Sequence, residues 1–505
     1  MNGDSPQQYH GVRTRKLALL ATLLSATFLA SCTVGPDFQR PKSPDVKGYT
    51  ADSLPASTAS AATTGGDAQS FAVGRDIPGQ WWTLFHSDPL NALVEQSLKN
   101  SPDLRAAEAA LRQARENLYA EQGSLFPSVD AKAAASRQRV SGATQGRNTS
   151  TTFNLYQASV DVSYSLDLFG GERRLIEAQA AQAEYQQYQL EAAYLTLSAN
   201  VVALAVQEAS LREQIASTED IIKSESDQLN LVRRQFELGA VSRAEVLTQE
   251  AQLAQTRATL PNLQKQLAQT RNQLAALAGR FPSQEIEQSF KLADLKLPTE
   301  LPVSLPSQLV EQRPDVRARE SLLHAASAEV GVATANQFPQ ISLDASYGFA
   351  ATRTGSLFNT GSQVWSLGGS VLQPIFRGGT LEHEKKAAVA AYDQAAAQYQ
   401  STVLQAFRNV ADALRALTSD AEAVRASTDA AQSASDSFAL SQEQYKNGAI
   451  NYLILLNADR AYQQARIALV QAQATRYADT VALFQALGGG WWNRTDTVAA
   501  GDSAR

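Results

Sequence analysis

From Val160 to Leu168 apolar and polar residues take turns without a break: Val160, Val162, Tyr164, Leu166 and Leu168 are separated by Asp161, Ser163, Ser165 and Asp167. A period of two gives a strand one apolar and one polar face. The same alternation returns at Ile341, Leu343, Ala345, Tyr347 and Phe349, with Ser342, Asp344, Ser346 and Gly348 between them. Trp365, Leu367, Gly369 and Val371 supply a further strand, and Val129, Ala131, Ala133 and Ala135 a weaker one. Stretches rich in Gly, Ser, Thr and Asn, 141–151 and 353–363, have loop composition and join these strands in pairs. The pattern predicts two β-hairpins, 128–168 and 340–376, four strands in all. Each strand, at about nine to eleven residues, is long enough to cross a bilayer at a tilt.

Elsewhere the period is helical. Residues 103–122 form an Ala/Glu/Arg helix that Gly123 and Pro127 end. Residues 172–238 and 380–447 contain neither Pro nor Gly, so each could be a single helix reaching roughly 100 Å. Gly239 and Gly448 end these runs, and an Ala/Gln-rich helix follows each. In 242–278, Val246, Leu253, Leu260, Leu267 and Leu274 mark a heptad seam, with Leu263 and Leu277 on the companion position. Pro261 lies within that run and predicts a kink or a change of helix there.

The chain is written twice. Asn100-Ser-Pro-Asp-Leu-Arg105 is echoed by Gln312-Arg-Pro-Asp-Val-Arg317, and the same spacing separates Pro102 from Pro127 and Pro314 from Pro339. Phe236-Glu-Leu-Gly-Ala-Val241 answers Tyr445-Lys-Asn-Gly-Ala-Ile450, and Gly279 answers Gly488 at the same offset. An internal duplication follows. Its first copy is 91–279 and its second 313–488, each with short helices, a β-hairpin and a long helical hairpin. A segment 32–90, a connection 280–312 and a tail 489–505 lie outside the copies. Four strands cannot close a barrel, and open sheet edges are not tolerated in lipid. Three chains would supply twelve strands, within the range of known barrels, and cyclic closure would gather their long helices into one tube. The alternative is a small water-soluble sheet packed on helices.

Composition narrows the function. Among 505 residues, 44 Lys+Arg face 50 Asp+Glu without a basic patch, which argues against nucleic acid as a partner. The four histidines, His10, His86, His324 and His383, lie far apart, and with one Cys they offer no metal-ligand spacing. No G-x-S-x-G elbow or paired His supports catalysis, so neither an enzyme nor a cofactor is expected. Arg13, Arg15 and Lys16 precede the apolar stretch Leu17–Leu29 and the small residues Ala30 and Ser31, an export signal over residues 1–31. The chain's single cysteine, Cys32, follows in Leu29-Ala30-Ser31-Cys32, which resembles the bacterial lipobox. Acylation at Cys32 would tether the mature chain to a membrane.

Taken in order, several motifs carry a family resemblance. They are Cys32-Thr-Val-Gly-Pro-Asp-Phe38, Trp81-Trp-Thr-Leu-Phe-His-Ser-Asp-Pro-Leu90, the two Pro-Asp helix starts and Phe169-Gly-Gly171. Gln373-Pro-Ile-Phe-Arg-Gly-Gly379, Tyr445-Lys-Asn-Gly448 and Ala486-Leu-Gly-Gly-Gly-Trp491 complete the set. The chain resembles the TolC-like outer-membrane factors, in particular the lipoprotein branch (NodT/OprM-like) that serves resistance-nodulation-division efflux pumps. The resemblance covers nearly the whole mature chain.

It implies a mainly α fold with membrane β: a homotrimer whose twelve-strand outer-membrane barrel continues into a coiled-coil α-helical barrel in the periplasm. Segments 33–90, 280–312 and 489–505 would form an equatorial girdle. The implied function is the exit duct of a tripartite pump, lipid-anchored in the outer membrane of a Gram-negative bacterium. Its partners would be a periplasmic adaptor (membrane fusion) protein, an inner-membrane efflux pump and outer-membrane lipid. A duct for type I protein secretion, or a coiled-coil lipoprotein without a pore, is the alternative.

Two sites carry over from the family. The helix-turn-helix tips Gly239-Ala240-Val241 and Gly448-Ala449-Ile450 match those that meet the adaptor. The periplasmic gate maps to Leu453, Asn457 and Arg460, with Tyr445 nearby. Asn457 stands where relatives commonly carry Asp, so a strongly anionic gate is not expected. Asp459, turned about 200° from Asn457 around a helix, reads as a solvated or tunnel-wall charge.

Overall fold

The computed structural model describes residues 33–141, 143, 146 and 149–494. The export signal 1–31, the acylation candidate Cys32 and the tail residues 495–505 lie outside the described residues. In chain order the principal elements are β1 (Ser70–Val73), α1 (Asp88–Asn100), α2 (Pro102–Gln122), β2 (Ser128–Val140), β3 (Thr151–Leu166), α3 (Gly171–Glu237) and α4 (Arg243–Leu277). Then come β4 (Glu300–Val303), α5 (Pro306–Gln312), α6 (Pro314–Ala335), β5 (Gln340–Ala351), β6 (Gln363–Leu372), α7 (Thr380–Lys446) and α8 (Tyr452–Ala486). Helices α3 and α7 are 67 residues each, and α4 and α8 are 35 each. The contacts divide the chain into two units.

The first unit takes in residues up to Arg40, Leu111–Gln186 and Arg319–Tyr399. It contains one antiparallel sheet of four strands in the order β2-β3-β5-β6, which leaves β2 and β6 as edges. The register pairs Val160 with Tyr347 and Val162 with Ala345, so the alternating patterns of the two hairpins match across the sheet. Lys132 and Asp161 form an ion pair of 3.3 Å, and the Ser163 hydroxyl donates to Asp344 at 3.0 Å. Trp365, Leu367 and Val371 are exposed. Strands β2 and β3 run 13 and 16 residues, longer than the alternation predicts. The added length lies on the loop side, where Arg139 and Val140 pair with Thr152 and Thr151 and backbone hydrogen bonds carry the ladder beyond the strict alternation.

In the same unit the segment after Cys32 is strapped down. The Val34 N–H donates to the Phe169 carbonyl at 3.0 Å, and buried Arg174 donates to Asp37 at 2.6 Å. Phe38 stacks on His324 with centroids 4.3 Å apart, and Arg40 pairs with Glu320 at 2.8 Å. A Cβ on Gly35 would stand 2.4 Å from the Gly331 backbone, so this crossing requires glycine.

The second unit takes in Pro41–Ala110, Gln187–Ala318 and the described residues from Gln400 onward. Strands β1 and β4 pair in parallel from Ser70–Glu300 to Val73–Val303. Asn493 donates to the Ile77 carbonyl at 2.8 Å and the Trp491 indole to the Gln312 carbonyl at 2.6 Å, so residues from all three segments outside the copies meet here. The core is aromatic: Trp81, Trp82 and Phe85 are buried, and Trp81 stacks on Phe484 at 5.3 Å. On α4, Val246, Leu253 and Leu274 of the heptad seam are buried. The helix change expected at Pro261 does not occur, because α4 runs unbroken from Arg243 to Leu277. Pro261 faces solvent, where water can satisfy the carbonyl that its missing N–H leaves free.

Candidate functional site

The hairpins α3–α4 and α7–α8 reverse by the same local chemistry. Gly239 and Gly448 adopt left-handed φ of 75° and 70°. The N–H groups of Ala240 and Ala449 reach back to the carbonyls of Gln235 and Gln444, both at 2.8 Å. These bonds close the helix C-termini as αL caps do. A Cβ at either glycine would touch nothing within 4 Å, so it is the backbone angle alone that calls for glycine. The return helices start on side-chain caps: the Ser242 hydroxyl accepts from the Glu245 N–H at 3.4 Å and Asn451 from the Ile454 N–H at 3.1 Å. Gly239, Ala240, Gly448 and Ala449 are exposed beside Leu238, which is 84% exposed, while Val241 and Ile450 are half-buried.

Behind the tips Leu229, Val232, Val246, Leu253, Phe438, Tyr452, Leu455 and Leu456 form a buried cluster, with Val241 and Tyr445 packed against it. Phe438 stacks on Tyr462 at 5.7 Å, and Tyr445 meets Tyr452 edge-on at 5.8 Å. Leu453 is 60% exposed and Asn457 is exposed as well, so this face of α8 is left free of the cluster. The other two gate candidates are engaged within the chain. The Tyr445 hydroxyl donates to Gln235 at 2.9 Å and the Arg460 Nε–H to Gln252 at 2.7 Å, rather than to Asn457. Burial, helped by Glu245, pushes the Tyr445 phenol above its ordinary pKa.

Sequence reasoning missed a polar cluster deeper in this bundle. Glu225 on α3 is fully buried, and its Oε1 accepts from Gln252 Nε2 at 3.1 Å, Thr256 Oγ1 at 3.0 Å and Gln463 Nε2 at 3.2 Å. Gln249 donates to the Glu225 carbonyl at 3.1 Å and accepts from the Tyr452 hydroxyl. Asp459, expected as a solvated or tunnel-wall charge, is 2% exposed and bonded to Gln463. The expectation fails because the side of α8 facing away from Asn457 packs into the bundle. Burial pushes the Asp459 carboxyl up to about 6; Gln463 and Arg460 oppose the shift and Glu225 adds to it. The signal for both carboxylates was in the sequence: Glu225 shares a helical stripe with Leu229 and Val232, and Asp459 shares one with Tyr452 and Leu456. Among the described residues no group of three or more His, Cys, Asp or Glu could hold a metal.

The two candidate sites present exposed small residues at the helix tips and an exposed face of α8 at Leu453 and Asn457. The outer membrane efflux protein family matches residues 93–280 and 305–489. The chain is 30% identical over 479 residues to the probable efflux pump outer membrane protein TtgC of Pseudomonas putida, covering 95% of this chain and 96% of that one. It is 29% identical to the outer membrane protein OprJ of Pseudomonas aeruginosa, covering 94% and 96%. Among solved structures, the outer-membrane channel OprN is similar at 30% identity and a TM-score of 0.81, covering 91% of this chain and all of that one. The open state of the Neisseria gonorrhoeae MtrE outer membrane channel is similar at 28% identity and a TM-score of 0.78, covering 92% and 100%.

Proposed function

The chain belongs to the outer membrane efflux protein family, and we propose that it forms its exit duct as a homotrimer with a twelve-strand barrel. One observation carries this reading: the sheet β2-β3-β5-β6 has four strands and two open edges. Edges of that kind cannot face hydrocarbon unpaired, and β6, exposed along its whole length, is free to pair with β2 of a neighbouring copy. Three copies close the ring, with apolar Trp365, Leu367 and Val371 available for lipid. The equal lengths of α3 and α7 and of α4 and α8, and the two family matches, support an internal duplication that supplies two helical hairpins per chain.

The duct passes small molecules outward from an inner-membrane pump. The tips Gly239-Ala240-Val241 and Gly448-Ala449-Ile450 meet the periplasmic adaptor, because Gly239, Ala240, Gly448 and Ala449 are exposed and small and the turns are fixed by their caps. Leu453 and Asn457 close the periplasmic end. Beside that face the Tyr445–Gln235 bond ties α7 to α3 and the Arg460–Gln252 bond ties α8 to α4. Asn457 can bond copies of itself around a threefold axis without charge repulsion. Each such bond is worth about 1 kcal/mol net, weak enough for adaptor docking to break. Acylation of Cys32 adds a lipid anchor at the head of the strapped segment Thr33–Arg40.

The test is single-channel conductance of the detergent-extracted particle. A trimer is expected, closed at rest, and Leu453→Ala combined with Asn457→Ala should raise conductance while the trimer persists. A monomeric particle removes the barrel, and unchanged conductance in the double variant moves the gate elsewhere.

A further inference from the structure

The Glu225–Asp459 cluster is more than packing. Both carboxylates are buried, and each keeps one oxygen, Glu225 Oε2 and Asp459 Oδ2, without a hydrogen-bond partner. We infer that this pair links closure of the helix tips to protons, acid holding α8 against α3 and α4; the inference rests on the tip gate proposed above.

Two buried carboxylates in one apolar bundle need compensation, because desolvation disfavours their charged forms. The compensation for Glu225 is visible in the three donors that converge on its Oε1. Asp459 has Gln463 alone. The charged and titratable groups that act here are Glu225 from α3, Glu245 from α4, Tyr445 from α7, and Tyr452 and Arg460 on α8 itself. Arg460 is the cation that acts on Asp459, and its Nε–H is spent on Gln252. A cavity of about 380 Å³ lined by Gln252, Thr256, Arg460 and Gln463, which include the donors to Glu225, lies beside the cluster.

The direction follows from where Asp459 titrates. Buried, it does so at about 6, whereas an exposed aspartate does so near 4. The arrangement with the higher pKa is the one that binding a proton favours. Opening in this proposal lifts α8 from α3 and exposes Asp459, so the buried arrangement gains on the open one as pH falls from about 6 to about 4, and the gain is lost as pH rises through 6. The full span is at most about 100-fold in the closed-to-open ratio per chain.

The experiment records the open fraction of the full-length protein in planar bilayers between pH 4.5 and 8. The wild type should close at least about tenfold on acidification, and Asp459→Asn, nearly isosteric and unable to titrate, should be flat. Glu225→Gln removes the charge that raises the Asp459 pKa, so the step should move to lower pH. A wild type indifferent to pH, or a step that survives in Asp459→Asn, overturns the inference. Leu453→Ala with Asn457→Ala, run alongside, separates the failures. If that variant opens the channel and acid has no effect, the proton link alone falls; if it has no effect either, the gate falls with it.

Discussion

Replacing Arg476 by Met should release the segment of residues 58–70 from α8 while leaving the helix intact. Arg476 is 0% exposed, and its guanidinium donates to the Gly65 carbonyl at 2.9 Å, the Asp67 carbonyl at 2.7 Å, Thr58 Oγ1 at 3.1 Å and Gln69 Oε1 at 3.4 Å. Methionine keeps most of the stem's apolar contact and loses all four bonds. Bonds from a charged donor are worth about 1.5–3 kcal/mol each, and buried Thr58 Oγ1 and Gln69 Oε1 would each lose a donor. Against this stands relief of the desolvation of a buried cation, which burial already expresses by lowering the Arg476 pKa. The net loss should be about 2–4 kcal/mol. That loss is local, so hydrogen exchange across 58–70 reads it better than a global melting temperature. Protection there should fall roughly 30- to 1000-fold, with α8 little changed. Exchange within about threefold of the wild type would show that the Trp81 core and the β1–β4 pairing hold the segment unaided, and would refute the role given to Arg476.

A second substitution on the same part of the bundle, Asp420→Asn, should stabilise the protein at pH 8 and not at pH 4. Burial, then the Asp479 carboxyl bonded to it, pushes Asp420 up to about 7, so its contribution is fully present below an ordinary carboxyl pKa near 4 and lost as pH rises through 7. Discounted for the group's partial exposure, the gain at pH 8 is about 1 kcal/mol, read as a higher melting temperature, and equal melting of the two proteins at pH 8 would refute it. Labelled fatty acid should appear on the mature wild-type protein and vanish in Cys32→Ser, and a wild type without an acyl chain removes the anchor.

How far each part was legible depends on what fixes it. The four strands were readable because a half-buried strand writes its two faces into alternate residues, as Val160–Leu168 does, and the hairpin turns of the helices because a left-handed C-cap calls for Gly239 and Gly448. Strand ends escaped, since Arg139–Thr152 pairing is a backbone affair with no side-chain signature. The long helices were readable as helices and hardly at all as surfaces. Ala and Gln are tolerated on both a packed and a wet face, so their positions say little about which neighbour each side meets. Judging Asp459 by its angle from Asn457 gave its direction correctly and its surroundings wrongly, because a residue that turns away from one surface of a bundle helix turns toward another helix. A better rule is available from these two residues. A carboxylate in register with Leu229 and Val232, or with Tyr452 and Leu456, is carried inside by its apolar neighbours whatever its own preference, and only a reason to titrate or to bond there makes that position tolerable. Glu225 has found three donors and Asp459 only one. That asymmetry is why the proposed proton link is placed on Asp459.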